Sequence, residues 1–351
     1  MPFNIRIGVA VLAFFISAIS GVALIPYLRK IHFGQTILEI GPAWHKSKQG
    51  TPIMGGFMFI FASIAASAVG YAFYRAFYYD VQSREAVFGM LRYVACMIFS
   101  LLTSAVGFAD DYIKAVRKQN LGLNPKQKLI FQFLITSAFL AVLYYLGDRS
   151  TEIDLMIVKF DLGIVYYPVM LLFVLYLVNA VNLTDGVDGL CGSVTVVVML
   201  AMTTICYFIA EYEVSLFAMA LAGGCLGFLV WNLHPAKCFM GDTGSMFLGG
   251  AFAAAGLVTH NHLIIILTGI VYILEALSVM IQVTYFKSTA RAHYKKTGEK
   301  GKGKRIFKMS PIHHHFEMCG WKEEKIFTVF SLTSLLFAAI SLIGILTRIT
   351  Q

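Results

Sequence analysis

Apolar windows of about 17–25 residues recur along the chain, at 5–27, 53–74, 88–108, 129–147, 164–181, 190–210, 214–231, 246–260, 263–285 and 326–347. That length matches the hydrocarbon thickness of a bilayer, where a helix satisfies all its own backbone groups. The expectation is an all-α polytopic membrane protein of about ten transmembrane helices, with residues 1–351 forming a single integral membrane domain. With 58% hydrophobic and 13% charged residues and a mean hydropathy of +0.74, no large soluble domain fits beside it.

The basic residues orient these helices. Only Arg6 precedes the first apolar run whereas Arg29 and Lys30 follow it, so the run reads as an uncleaved helix with its N-terminus outside. On that assumption one set of loops carries 21 Lys and Arg, including Lys46, Lys48, Lys114, Lys118, Lys126, Lys128 and the stretch from Lys287 to Lys325. The other side carries 7, so the first set is expected in the cytoplasm and both termini outside. A net charge of +9 concentrated in such loops argues for lipid headgroups and against nucleic acid. The six cysteines show no paired spacing and read as small apolar packing residues. Segment 151–163, TEIDLMIVKFDLG, alternates apolar and polar residues and predicts a short external hairpin.

Every unusual polar cluster falls on the expected cytoplasmic side. NLTDGVDG, 182–189, closes the fifth window and sets Asn179, Asn182, Asp185 and Asp188 in one three-residue register. Lipid penalises unsatisfied polar groups heavily, so this cluster implies a wet site at the membrane surface. FADDYIK, 108–114, ends another window with adjacent Asp110 and Asp111, whose repulsion calls for a cation or proton, and Lys114 lies one turn on. FMGDTGS, 239–245, places Asp242 between glycines, which predicts an accessible carboxylate in a turn. GTPIMGG, 50–56, opens the second helix as a Gly-rich N-terminus, suited to an anion or else plain helix punctuation. The basic, glycine-rich tract near 295–305 predicts a mobile loop. Three consecutive histidines in PIHHHFE, 311–317, cannot all face one way on a helix, so a loop with imidazoles aimed at phosphate or sugar oxygens is expected.

Five aspartates, Asp110, Asp111, Asp185, Asp188 and Asp242, therefore collect on helix ends. Mg²⁺ keeps several waters and takes one or two carboxylates plus substrate phosphates, and phosphoryl transfer needs metal and cations to offset oxygen charge. The residues alone thus predict a Mg²⁺-dependent phosphotransferase at the membrane face, joining one water-soluble and one lipid substrate.

Together, NAVNLTDGVDG, FADDYIK, GTPIMGG, FMGDTGS and MSPIHHHFE resemble the bacterial phospho-N-acetylmuramoyl-pentapeptide transferase family, within the polyprenyl-phosphate N-acetylhexosamine-1-phosphate transferase superfamily. The resemblance runs in order from about Pro26 to the last helix. It implies ten helices and transfer of phospho-MurNAc-pentapeptide from UDP-MurNAc-pentapeptide to undecaprenyl phosphate at the cytoplasmic face of the bacterial plasma membrane. It also implies products lipid I and UMP, a need for Mg²⁺, and a homodimer. By position it makes Asp242 the principal metal ligand, with Asp110 and Asp111 beside the metal and Asp110 the candidate base. Gly186, Val187 and Asp188 would line the uridine pocket, with Phe239 near the base. Lys48, Asn182, Asp185, Asn232, His313, His314 and His315 would hold the remaining nucleotide-sugar groups, and Lys114, Lys126 and Lys128 the phosphates. Ile53 stands where the family's usual motif has threonine, and the tract from Arg291 to Lys304 is longer than the family's usual connection. A one-step displacement is favoured over a phospho-enzyme because both substrates reach one face. Two rivals are a GlcNAc-1-phosphate transferase, against which PIHHHFE argues, and an ion-coupled transporter, whose ionisable groups would sit near the bilayer midplane.

Overall fold

The computed structural model describes residues 3–31, 33–34, 48–78, 84–117, 122–156 and 158–350; Lys46 and Lys118 of the charge count lie outside them. Twelve helices follow in order among the described residues: α1 Phe3–Lys30, α2 Gly56–Tyr78, α3 Arg84–Arg117, α4 Pro125–Tyr145, α5 Tyr166–Thr184 and α6 Leu190–Phe208, then α7 Tyr212–Asn232, α8 Gly241–Val258, α9 His262–Thr268, α10 Ile270–Thr297, α11 Ile312–Glu317 and α12 Glu323–Ile349. Between α4 and α5 lies an antiparallel hairpin, β1 Glu152–Asp154 with β2 Lys159–Asp161, pairing Ile153 with Phe160. The expected hairpin at 151–163 is present.

Nine of these helices, α1–α7, α10 and α12, are long and apolar enough to cross a membrane, and the chain is an all-α multi-pass membrane protein. Two windows differ from expectation. Window 246–260 is α8, which is not among these nine and is buried from Thr243 to Val258. Packed on protein, it needs small residues for close approach more than long apolar side chains. Window 263–285 is interrupted at Gly269, and α10 runs on to Thr297. Residues 295–297 of the expected loop are therefore the last turn of a helix, closed by Gly298 at φ +72°.

The outer helices bury one stripe only. On α1 the buried positions Val9, Ala13, Ser17, Gly21 and Ile25 recur every four residues, the spacing of one helical face, while Phe15 and Ile19 point outward. That stripe meets α7, where the glycines at 223 and 227 lie against the Ala10 and Phe14 carbonyls. All cysteines are free, five buried and Cys319 exposed, as packing residues should be.

One equally close approach concerns the site. Gly107 on α3 faces the Asp242 carbonyl so tightly that a methyl group there would stand 2.1 Å from that oxygen. Gly107→Ala should force α3 and α8 apart at a cost of about 1–3 kcal/mol, read as a lower melting temperature in detergent; an unchanged melting temperature would mean that α8 is not held this closely.

Candidate active site

Asp110 and Asp111 sit at the C-terminal end of α3 and Asp242 in the first turn of α8. The first turn of a helix carries partial positive charge and unpaired amides, so an acidic side chain is well placed at the start of α8. Asp111 reaches across to it. Its Oδ2 accepts from the Thr243 N–H at 2.8 Å and the Thr243 hydroxyl at 2.7 Å, and its Oδ1 accepts from the Asp242 N–H at 3.2 Å. A buried carboxylate from α3 thereby caps α8 and satisfies amides that a helix start leaves unpaired.

Capping brings the other two acids together. One oxygen each from Asp110, Asp111 and Asp242 lies within 4.8 Å of the others. Asp110 also accepts from the Leu123 N–H at 2.7 Å and pairs with Lys114 one turn on. Asp242 pairs with Lys128 at 2.8 Å and Lys114 at 3.2 Å, and accepts from Asn182 Nδ2 at 2.9 Å. Two ammonium groups thus face three carboxylates. Lys128 is delivered by the first turn of α4, which Asn124 opens with a capping box closed by Gln127. Lys126, from the same turn, is exposed and makes no ion pair among the described residues. The donor set consists of hard oxygens only, without imidazole or thiolate, and fits a cation such as Mg²⁺.

The four-residue register holds only in part. α5 ends at Thr184, so Asn179 and Asn182 share its face while Asp185 and Asp188 lie in the turn that follows. Asn179 is bonded to Gln132 at 2.8 Å, away from the acids. Asn182 donates to both Asp242 and Ser245 and joins the cluster. Burial, and then the charges of Asp242, Asp111 and Asp188, push the Asp185 carboxyl up to about 8.

Asp188 belongs to a second cluster. Its Oδ1 pairs with Lys48 at 2.7 Å, and its Oδ2 meets His234 Nδ1 at 3.1 Å and the Ala236 N–H at 2.9 Å. Glu323, the first residue of α12, accepts from the Asp188 N–H at 3.0 Å and holds the same ammonium at 2.7 Å. Lys48 already supplies the cation that Asp188, His234 and Glu323 could otherwise take from solution. Neither Glu323 nor His234 was expected from sequence; Glu323 stands in an ordinary charged helix start, WKEEK, with nothing local to single it out.

Several expected ligands bear on backbone instead. The Asn232 amide accepts from the Gly189 N–H at 3.2 Å and donates to the Cys238 carbonyl at 2.9 Å, tying two loops. Val187 is buried. Phe239 donates its N–H to the Pro52 carbonyl, and its own carbonyl accepts from Gly55. Gly56 donates to the Met240 carbonyl. The Gly55 and Gly56 amides are thus taken by FMGDTGS backbone, that of Thr51 by the Lys48 carbonyl and that of Ile53 by the Phe33 carbonyl, and of the two readings of that motif the geometry supports helix punctuation rather than an anion cradle. The histidines lie on a short helix, α11, not in a loop. As expected they diverge: His313 is buried against Glu275, His314 pairs with Glu317, and His315 Nδ1 accepts from the Lys308 N–H at 3.1 Å. Gly186 passes over His313 so closely that a methyl group would stand 2.2 Å from its Nε2.

A polar recess of about 430 Å³ lined by Glu152, Asp154, Lys159, His260 and Arg348 lies at the far ends of α8 and α12 and holds none of these residues.

The profile of Glycosyl transferase family 4 matches residues 93–260, which span all three aspartate motifs. A Clostridium botulinum protein (strain Alaska E43 / Type E3) named phospho-N-acetylmuramoyl-pentapeptide-transferase is 41% identical over 339 residues, 95% of this chain and 94% of its own length. Proteins of the same name from Halalkalibacterium halodurans and Bacillus subtilis (strain 168) are each 40% identical, over 95% and 94% of this chain and 95% of their own lengths.

Two measurements separate support from chemistry in this cluster. Asp111→Ala should cost about 1–3 kcal/mol by stranding the Thr243 donors, lowering the melting temperature, whereas Asp110→Asn, which can still accept from Leu123, should change it far less. For Asp185, folded protein retains the proton to about pH 8 whereas an unfolded aspartate releases it near about pH 3.9. The folded state then holds more protons across that window, so stability falls as pH rises through it. In EDTA, Asp185→Asn should melt higher than the parent at pH 8 and close to it at pH 4; equal melting at both would refute the shift.

Proposed function

Because the chain belongs to the phospho-N-acetylmuramoyl-pentapeptide-transferase family, we propose that it moves phospho-MurNAc-pentapeptide from UDP-MurNAc-pentapeptide to undecaprenyl phosphate, giving lipid I and UMP. The observation that carries this reading is the junction of α3 and α8, where Asp110, Asp111 and Asp242 converge beneath Lys114 and Lys128. Three carboxylates suit a divalent cation, and two ammonium groups beside them suit the phosphates that such a cation binds.

Asp242 and Asp110 are the residues that would hold Mg²⁺, with Asp111 capping α8 behind them. When bound, the ion offsets charge on the diphosphate oxygens. Asp110, held by Leu123 and Lys114, orients or deprotonates the lipid phosphate. That phosphate oxygen attacks the sugar-bearing phosphorus in one step, the bond to the bridging oxygen breaks, and UMP leaves. Lys114 and Lys128 meet the phosphates, and Lys126 stands near the entry of α4 as a further contact. Asn182 holds Asp242, while Asp185, Gly186, Val187, Asp188 and Phe239 form the nucleotide side of the site. Lys48, Asn232 and Glu323 shape that side by fixing its loops. His314 and His315 reach outward toward the sugar, and His313 lies behind them.

The 21-to-7 asymmetry of Lys and Arg supports a cytoplasmic site, both termini outside, and residence in the bacterial plasma membrane. That side admits a nucleotide from water and a polyprenyl phosphate from the bilayer. A homodimer is proposed on the family resemblance.

The test is turnover by purified protein in detergent with undecaprenyl phosphate and Mg²⁺, offering UDP-MurNAc-pentapeptide or UDP-GlcNAc and reading UMP. UMP from the muramoyl nucleotide alone is expected, lost in EDTA and reduced on the order of 100-fold or more in Asp242→Ala. UMP from UDP-GlcNAc alone would replace the substrate proposed here, and none from either would return the transporter reading.

A further inference from the structure

α10 carries a polar residue every seventh position on the face that receives the returning chain. Thr289 Oγ1 accepts from the Lys304 N–H at 2.8 Å, and Gln282 Oε1 accepts from the Ile306 and Phe307 N–H groups, each at 3.0 Å. Glu275 meets His313 Nδ1 at 3.0 Å. Seven residues make two helical turns, so the three form one rail along which residues 304–313 are laid. The first two bond backbone only, Gln282 also donating its Nε2 to the Phe307 carbonyl at 3.1 Å. Glu275 differs: it is an acid at 0% exposure within a membrane-crossing helix, and its partner is an imidazole.

An ionisable group in such a place is costly unless it is paired, and where it persists it calls for a role. Both members of the pair are buried, with side-chain exposures of 0% and 1%. An ionised carboxylate can only accept, so the Nδ1 facing it carries the proton. In the neutral imidazole the other nitrogen is then a bare acceptor. That nitrogen, Nε2, is buried without a hydrogen-bond partner, and it points at Gly186 in the turn that carries Asp185 and Asp188. A histidine held on one nitrogen by a carboxylate has its ring plane and tautomer set by that bond.

We propose that Glu275 is a positioning residue of the transfer site, keeping His313 in the Nδ1–H form with its bare Nε2 against the Gly186 turn. This rests on the transferase reading above for its kinetic consequence but not for its structural one. Glu275 touches no reacting atom; it acts through His313, and His313 through the turn.

Two measurements on the full-length protein in detergent test it. The first is ¹⁵N NMR of histidine-labelled protein, with His313 identified by the signal lost in His313→Gln. The Nδ1–H form is expected in the parent and a mixture or the Nε2–H form in Glu275→Leu. The Nε2–H form in the parent would overturn the proposal, whatever the enzyme's substrate. The second is a double-mutant cycle on kcat and KM with Glu275→Leu and His313→Ala. Loss of an orienting partner typically costs 10–100-fold, so a drop in kcat of about that size is expected in each single variant. The double variant should be no worse than His313→Ala alone. Additive losses would reduce Glu275 to a docking contact like Gln282, whose Ala variant is the control, expected to lower the melting temperature while leaving kcat within about twofold. If Glu275→Leu does not fold, Glu275→Gln replaces it: the amide oxygen can still accept from Nδ1–H, so partial retention of kcat with the Nδ1–H form is expected, and kcat equal to that of His313→Ala despite that form would overturn the proposal.

Discussion

The bond between Asp111 and the first turn of α8 is the contact on which the remaining geometry depends. The Asp111 carboxylate is opposed by Asp110 beside it, whereas the start of α8 offers unpaired amides and a favourable field. Placing the one on the other relieves both and locks two sequence motifs 131 residues apart. Gly107 makes the approach sterically possible. Once α3 and α8 are joined, Asp110 and Asp242 are forced close, and their repulsion is offset by lysines from α3 and α4. The convergence of the three carboxylates thus follows from a helix cap.

The same economy recurs around the site. Asp188 ties Lys48, His234 and the 236 amide, Asn232 ties the loops at 189 and 238, and the backbone of Pro52–Gly56 runs against that of Phe239–Met240. Polar side chains at a membrane-embedded site do two jobs, because an unpaired polar group there is expensive and loop backbone needs partners that lipid does not supply. A residue can sit in a functional motif and still act by holding its neighbours, as Asn232 does.

Membrane class, the approximate helices, the hairpin at 151–163 and the family could be read from the chain directly, because hydrophobic length is a one-dimensional property and five ordered motifs are specific together. The aspartates were legible for a related reason: carboxylates at the ends of apolar helices are conspicuous against their surroundings. Glu323 and Glu275 were not. One sits among ordinary charges and the other in a helix otherwise marked only by its apolarity, and their partners, Asp188 and His313, are 135 and 38 residues away. That α8 is buried all along its length was hidden for the same reason, since what surrounds a helix is not written in the helix.

Composition, hydrophobic period and motif chemistry by themselves determined that this chain is a helical membrane transferase with acids gathered at helix ends. Which acid caps a helix and which pairs with lysine was decided only by tertiary structure. The difference is physical: burial in lipid acts on each segment separately, whereas hydrogen bonds and ion pairs between helices act at about 3 Å and exist only once distant segments have met.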